Sequence, residues 1–334
     1  MSRRPALLAI LVALAALAAA ALPAPAQAPR DKATLKLNFY AYGEHAAFAY
    51  GVEKGIYAED GIELTIVEGG GSGKVVQEIG IGSERFGYAD ATTMANLVSK
   101  GLPVKMIANY VQTSPMSIIF FADAGIKSPK DLEGKKVSFT AGDSLHQNFP
   151  ALIKLNRVDK SKVQEVLLAP AAKQTAVMTG TVDAMGGYYT TQAGLIESET
   201  KKKVAYIRYT DFGVGAMTQG LFVHTKNLGE KSLNCRMVRA TGRAWQAAMK
   251  DPDGAVAALH KLFPKTNKGL VDLTKKQWQD SADLLYTKSS QGKTPGLMMK
   301  EDWDTLLSLA KEYGGLEPVK AHADYYTNEF FDCK

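Results

Sequence analysis

The sequence predicts an α/β protein built on two mostly parallel sheets, and three observations carry that reading. Strand-like runs alternate with amphipathic helical runs along most of the chain, as parallel sheets covered by helices require. Behind an N-terminal leader roughly 300 residues remain, more than one ordinary core and suited to two domains. A helix, a glycine stop and a buried strand occur twice, at residues 75–90 and again at residues 176–184.

Taken in order, residues 35–39 alternate as a first strand, and residues 46–54 place apolar side chains at helical spacing. Residues 62–67 form a second strand, residues 69–73 a glycine-rich turn, residues 75–81 a helix and residues 86–89 a third strand ending at Asp90. A helix over residues 93–99 and a strand over residues 104–109 complete the first half. In the second half, strands are expected at residues 118–121, 137–140, 163–168, 182–185 and 206–209, with helices at residues 146–155 and 173–178. Beyond Leu221 the pattern turns helical, over residues 238–249, 255–262, 275–285 and 300–313. Glycine closes each repeated helix because it enters the left-handed region at little cost.

The leader itself carries Arg3 and Arg4, then an apolar, alanine-rich run from Ala6 to Leu22, and reads as a cleavable export signal. Small residues alternate about Ala24-Pro25-Ala26, so cleavage is expected after Ala26. The Arg3-Arg4 pair lacks the flanking pattern of a twin-arginine signal, and no cysteine follows for lipid attachment. Removing two arginines takes the net charge from +6 to +4, and the lysines are interspersed with acids. Lys201-Lys202-Lys203 is read as a solvated helix end, and no nucleic-acid partner is expected. An exported chain meets an oxidising compartment, so Cys235 and Cys333, its two cysteines, are expected to pair; two unrelated buried thiols are the alternative.

Three stretches then carry a resemblance. They are the run Gly55-Ile56-Tyr57-Ala58-Glu59-Asp60-Gly61-Ile62-Glu63-Leu64, the stretch Gly101-Leu102-Pro103-Val104-Lys105, and above all Ile126-Lys127-Ser128-Pro129-Lys130-Asp131-Leu132-Glu133-Gly134-Lys135-Lys136-Val137. In this order they resemble the solute-binding proteins of ABC transporters for nitrate, sulfonates, taurine and thiamine-pyrimidine precursors. Arg85 stands where that family's turn usually has aspartate. The resemblance implies a two-lobed, type II periplasmic-binding fold with two hinge crossings, near residues 114–121 and 219–223. One lobe would be discontinuous (residues 31–117 and 222–334) and the other would span residues 118–221. It further implies a periplasmic monomer that hands a small molecule to an inner-membrane ABC permease.

Ligands of open α/β sheets sit beyond the carboxyl ends of the strands. The residues there in the first lobe are Tyr40, Tyr42, Glu44, His45, Gly71, Ser72, Asp90, Thr92 and Gln112; those in the second are Gly142, Asp143, Ser144, Tyr188, Tyr189, Asp211 and Phe212. Several have ordinary alternatives. Gly69–Gly73 either holds an anion on its N–H groups or is a plain loop, Asp143-Ser144 either binds or caps a helix, and His45 either touches ligand or packs. Gly186-Gly187 is read as opening space beside a strand end for Tyr188 and Tyr189. Acids and aromatic rings at these loops favour a small nitrogen heterocycle, such as a pyrimidine-type vitamin precursor, over a sulfonate, nitrate or aromatic carboxylate. No catalytic residue, metal ligand or cofactor is expected: the five histidines are scattered and no nucleophile elbow or metal motif occurs. A biosynthetic enzyme of the same fold remains the alternative of another class, with the export signal against it.

Overall fold

The structure is a computed structural model that describes residues 30–266 and 268–333; the export signal read at residues 1–26 lies outside them. Ten strands form two five-stranded sheets. The first combines β1 (Asp31–Lys36), β2 (Ile62–Val67), β3 (Phe86–Asp90), β4 (Val104–Asn109) and β10 (Gln219–His224) in the order β2-β1-β3-β10-β4. The second combines β5 (Met116–Phe121), β6 (Lys136–Phe139), β7 (Gln164–Leu167), β8 (Ala184–Tyr188) and β9 (Val204–Arg208) in the order β7-β6-β8-β5-β9. Four strands of each sheet run one way. The fifth, β10 or β5, is antiparallel to both neighbours. The reversed strands are those by which the chain changes sheets, since β5 follows β4 directly and β10 follows β9.

Helices cover both sheets: α1 (Ala46–Glu53), α2 (Ile56–Glu59), α3 (Ser72–Gly80) and α4 (Ala91–Ser99) before the first change, then α5 (Ser144–Leu155), α6 (Pro170–Met178) and α7 (Gly194–Thr200). After β10 come α8 (Lys231–Lys250), α9 (Pro252–Leu262), α10 (Val271–Ala282), α11 (Lys300–Gly314) and α12 (His322–Tyr325). They return to the first sheet, where Trp245 of α8 stacks on Tyr110 at 5.7 Å and Trp278 of α10 lies 5.2 Å from Trp245. All three rings are buried.

Burial tracks the sequence pattern. Strand β2, at a sheet edge, alternates buried and exposed side chains, whereas the more central β3 and β8 are buried throughout. A strand covered on both faces must be apolar or small, and a Cβ on Gly87 would sit 2.4 Å from the Phe222 ring. The Ser128-Pro129-Lys130-Asp131 segment also has a local physical function. Asp131 accepts the backbone N–H groups of Lys127 and Ser128, each at 2.9 Å, starting the short 3-10 helix Pro129–Leu132 that leads into β6.

Three expectations need correction. Strand β1 ends at Lys36 rather than continuing to residue 39, because Leu37 onward turns to meet the glycine loop: Gly69 and Gly71 donate to the carbonyls of Phe39 and Asn38. Gly186 and Gly187 are inside β8, not beside its end, since a Cβ at either would lie 2.6 Å from the Phe139 ring or from Ile119. After β8 the chain forms a π-helix, Tyr189–Ala193, where no helix was read. The expected Cys235–Cys333 disulfide is present, joining α8 to the C-terminal tail across 98 residues with 6.0 Å between Cα atoms.

Candidate functional site

The ends of both sheets meet at a buried polar cluster. Tyr188, the last residue of β8, accepts from Nε2 of Gln219 at 2.7 Å and shares a hydrogen bond with the Ser144 hydroxyl at 3.1 Å. Gln219 begins β10 and pairs in register with Asp90, the last residue of β3. One phenol thus links the two sheets. Burial pushes its ionisation well above the usual tyrosine value, with Asp90, Glu44 and Asp143 adding to that effect. Further links across the sheets run from Gln147 to Thr93 at 3.4 Å and from Gln277, whose Nε2 donates to the Thr191 carbonyl at 3.1 Å while its Oε1 accepts from Gly43 at 3.2 Å.

Glu44 and Asp90 are both fully buried. Oε1 of Glu44 accepts from the Tyr88 hydroxyl at 3.0 Å, while Oε2 has no partner. Burial raises this carboxyl to about 8, against the opposing effect of the Tyr88 and Tyr42 hydroxyls. Asp90 caps α4 by accepting the Thr93 N–H at 2.8 Å, and its Oδ2 is likewise unpartnered. Burial raises it to about 6, the Thr93 bonds holding it from going further. Oε1 of Gln219 and the Thr92 hydroxyl are unpartnered as well. Leaving such groups dry is costly, so the cluster holds polar atoms that await hydrogen-bond partners.

His45 lies beside the acids. Its Nδ1 accepts the Tyr42 N–H at 3.3 Å, so Nε2 carries the proton and donates to Asn38 Oδ1 at 2.8 Å. Burial lowers it to about 3 and keeps it neutral. Asn38 in turn donates to the Tyr42 hydroxyl at 3.2 Å.

The structure thereby brings together Tyr42, Glu44, His45, Ser72, Asp90, Thr92, Ser144 and Tyr188 of the residues read from sequence. Ser72 accepts the Asp90 N–H at 3.2 Å. Asp143 caps α5 through the His146 N–H at 2.7 Å, and its other oxygen meets Lys173 Nζ at 3.1 Å. Gln112 has both ends engaged, donating to the Asn109 and Leu297 carbonyls and accepting from Ser290. Gly71 has a φ of 116° and its N–H is committed to Asn38. Tyr40 is 55% exposed. Tyr189, Asp211 and Phe212 gather instead along edge strand β9: Tyr189 stacks on Tyr206 at 5.1 Å, Asp211 pairs with Arg208 at 2.8 Å, and Phe212 packs on the second core.

Asn38, Tyr88, Gln219 and Gln277 were not singled out from the sequence. Tyr88 carried a usable signal, because it stands two residues before Asp90 on one strand and so shares its face. Among the described residues no group of His, Cys, Asp and Glu could hold a metal ion, and no helix is long and apolar enough to cross a membrane.

Two mixed sheets flanked by helices, joined by two passages of the chain, define the two-lobed α/β fold of periplasmic binding proteins. The chain belongs to the NMT1/THI5-like family, matched over residues 43–255. It is 22% identical to a formylaminopyrimidine-binding protein of Halalkalibacterium halodurans, over 85% of this chain and 86% of that one. It is 23% identical to a 4-amino-5-hydroxymethyl-2-methylpyrimidine phosphate synthase of Uromyces fabae, over 90% and 87%. The fold is shared with the alkanesulfonate-binding protein SsuA of Xanthomonas axonopodis (TM-score 0.64, 12% identity, 88% of this chain and 96% of that one). The nitrate-binding protein NrtA of Synechocystis shares it as well (TM-score 0.64, 11% identity, 90% and 87%).

Proposed function

We propose that the protein is the periplasmic solute-binding component of an ABC importer, and that it holds a small nitrogen heterocycle, a pyrimidine-type precursor, without transforming it. The carrying observation is the pair of buried acids, Glu44 and Asp90, each with an unpartnered oxygen, beside a phenol from the opposite sheet. An anion placed there would meet two carboxyl groups and no described lysine or arginine paired with either, at a desolvation cost of several kcal/mol. A ring edge that carries N–H donors beside a ring-nitrogen acceptor can meet these unpartnered atoms instead. Tyr42, Glu44, Ser72, Asp90, Thr92, Ser144 and Tyr188 are assigned to contact it. Each sheet with its helices acts as one rigid lobe, close to the division expected at residues 117/118 and 221/222 but with the whole of β5 in the second lobe and the whole of β10 in the first, closing by dihedral changes at the two crossings. The enzymatic reading draws on the synthase name of some relatives; the cluster supports binding, since its histidine is neutral and committed on both ring nitrogens.

Calorimetry against aminopyrimidines, alkanesulfonates, nitrate and aromatic carboxylates tests this reading. An aminopyrimidine is expected to bind, and Tyr188→Ala to weaken it at least tenfold, about 1.4 kcal/mol. Binding of a sulfonate or carboxylate with none of any ring would overturn it, and a ring recovered chemically altered would restore the enzyme.

A further inference from the structure

The two buried acids differ in what they can offer, and the inference drawn from this rests on the heterocycle reading. Glu44 is faced on its own side by Tyr42, Tyr88 and the neutral His45, and from the second sheet by Tyr188. Asp90 and Asp143 add negative charge at Tyr188, and Lys173 is taken up by Asp143. The Tyr88 hydroxyl donates to Oε1 and the Tyr42 hydroxyl also acts on the carboxyl, while Oε2 has no partner within hydrogen-bond distance. Asp90, by contrast, sits at the start of α4, where its Oδ1 receives a backbone N–H and the helix end favours negative charge. Paired acids in unlike surroundings take different protonation states at one pH.

We propose that Glu44 meets the solute as a neutral carboxylic acid, its Oε2 hydroxyl donating to a ring nitrogen while Oε1 accepts from the adjacent amino group, and that Asp90 stays ionised and accepts a further N–H. The paired contact recognises a ring edge with one acceptor and one donor side by side. The proton stays on Glu44 throughout, so no charge is created in the closed site. Raising Glu44 to about 8 by burial is consistent with this state at neutral pH, as is holding Asp90 at about 6.

The test is calorimetric titration of the full chain with 4-amino-2-methylpyrimidine across a pH series, on wild type, Glu44→Ala and Glu44→Gln. Wild-type affinity is expected to fall by up to tenfold per pH unit above about 8. Glu44→Ala should lose at least tenfold at neutral pH. Glutamine, which mimics the neutral acid in shape and hydrogen bonding, should recover most of that loss and remove the alkaline decline. Wild-type affinity that rises with pH, or Glu44→Gln as weak as Glu44→Ala, would show that an ionised carboxylate is needed; the protonation proposal then falls and the heterocycle reading stands. A wild type that binds a sulfonate and no ring at any pH removes both.

Discussion

Replacing Glu44 by glutamine should stabilise the unliganded protein at alkaline pH, by roughly 4 to 5 kcal/mol relative to the difference seen in acid. The folded-state value of this carboxyl is raised from 4.5 to about 8, chiefly by burial. Below 4.5 it is protonated in the folded and unfolded chains alike and contributes no pH dependence. Between 4.5 and 8 the unfolded chain has released the proton and the folded one has kept it, so stability falls as pH rises, by about 1.4 kcal/mol per unit. Above 8 both forms are ionised and the loss is complete. Asp90 acts in the same sense between 3.8 and about 6, and His45, lowered from 6.5 to about 3, acts in the opposite sense as pH falls below 6.5. Within this cluster Glu44 alone therefore governs the interval from 6.5 to 8. Urea unfolding of both proteins across pH checks this, and parallel stability curves would contradict it.

Removing the disulfide has an expected effect of similar size. Cys235→Ser with Cys333→Ser should lower stability by about 2 to 5 kcal/mol, since cross-linking a loop of about 100 residues is worth up to ~4.7 kcal/mol in chain entropy. The bridge spans 98 residues and secures a tail with work to do. Phe330 of that tail is buried in the core over the first sheet, the Thr327 N–H donates to the Met106 carbonyl of β4, and Asn328 bonds both ways with Met298. Loosening it exposes one edge of the first sheet. Comparing denaturation midpoints with the bridge intact, and in the double variant, measures the effect; an unchanged midpoint would contradict it.

What the sequence made legible was decided by local interactions. Short apolar runs located β2 and β4 residue for residue, and the glycine stops located the repeated units, because strand-like runs and left-handed turns are properties of short windows. Asp90 and Asp143 were found through strand ends, and both prove to cap helices as such acids commonly do. Partnership across sheets was not legible. Gln219 read as part of a crossing, and only the register of β10 with β3 makes it a neighbour of Asp90, whereas Tyr88 was legible as sharing the face of Asp90 but not as the partner of Glu44. Asp211 and Phe212 follow a strand end as the rule asks, but β9 lies at the sheet edge, where an exposed arginine supplies Asp211 with its partner. Gly186 and Gly187 looked like spacers because a strand interior with two glycines makes sense only once Phe139 and Ile119 are seen to fill the space.

Native mass spectrometry of the full protein, purified from a periplasmic extract and never denatured, tests the central claim most directly. The account expects a single small nitrogen heterocycle bound at one per chain, released intact, and lost from Tyr188→Ala prepared the same way. Recovery of an alkanesulfonate, nitrate or aromatic carboxylate in its place would contradict it.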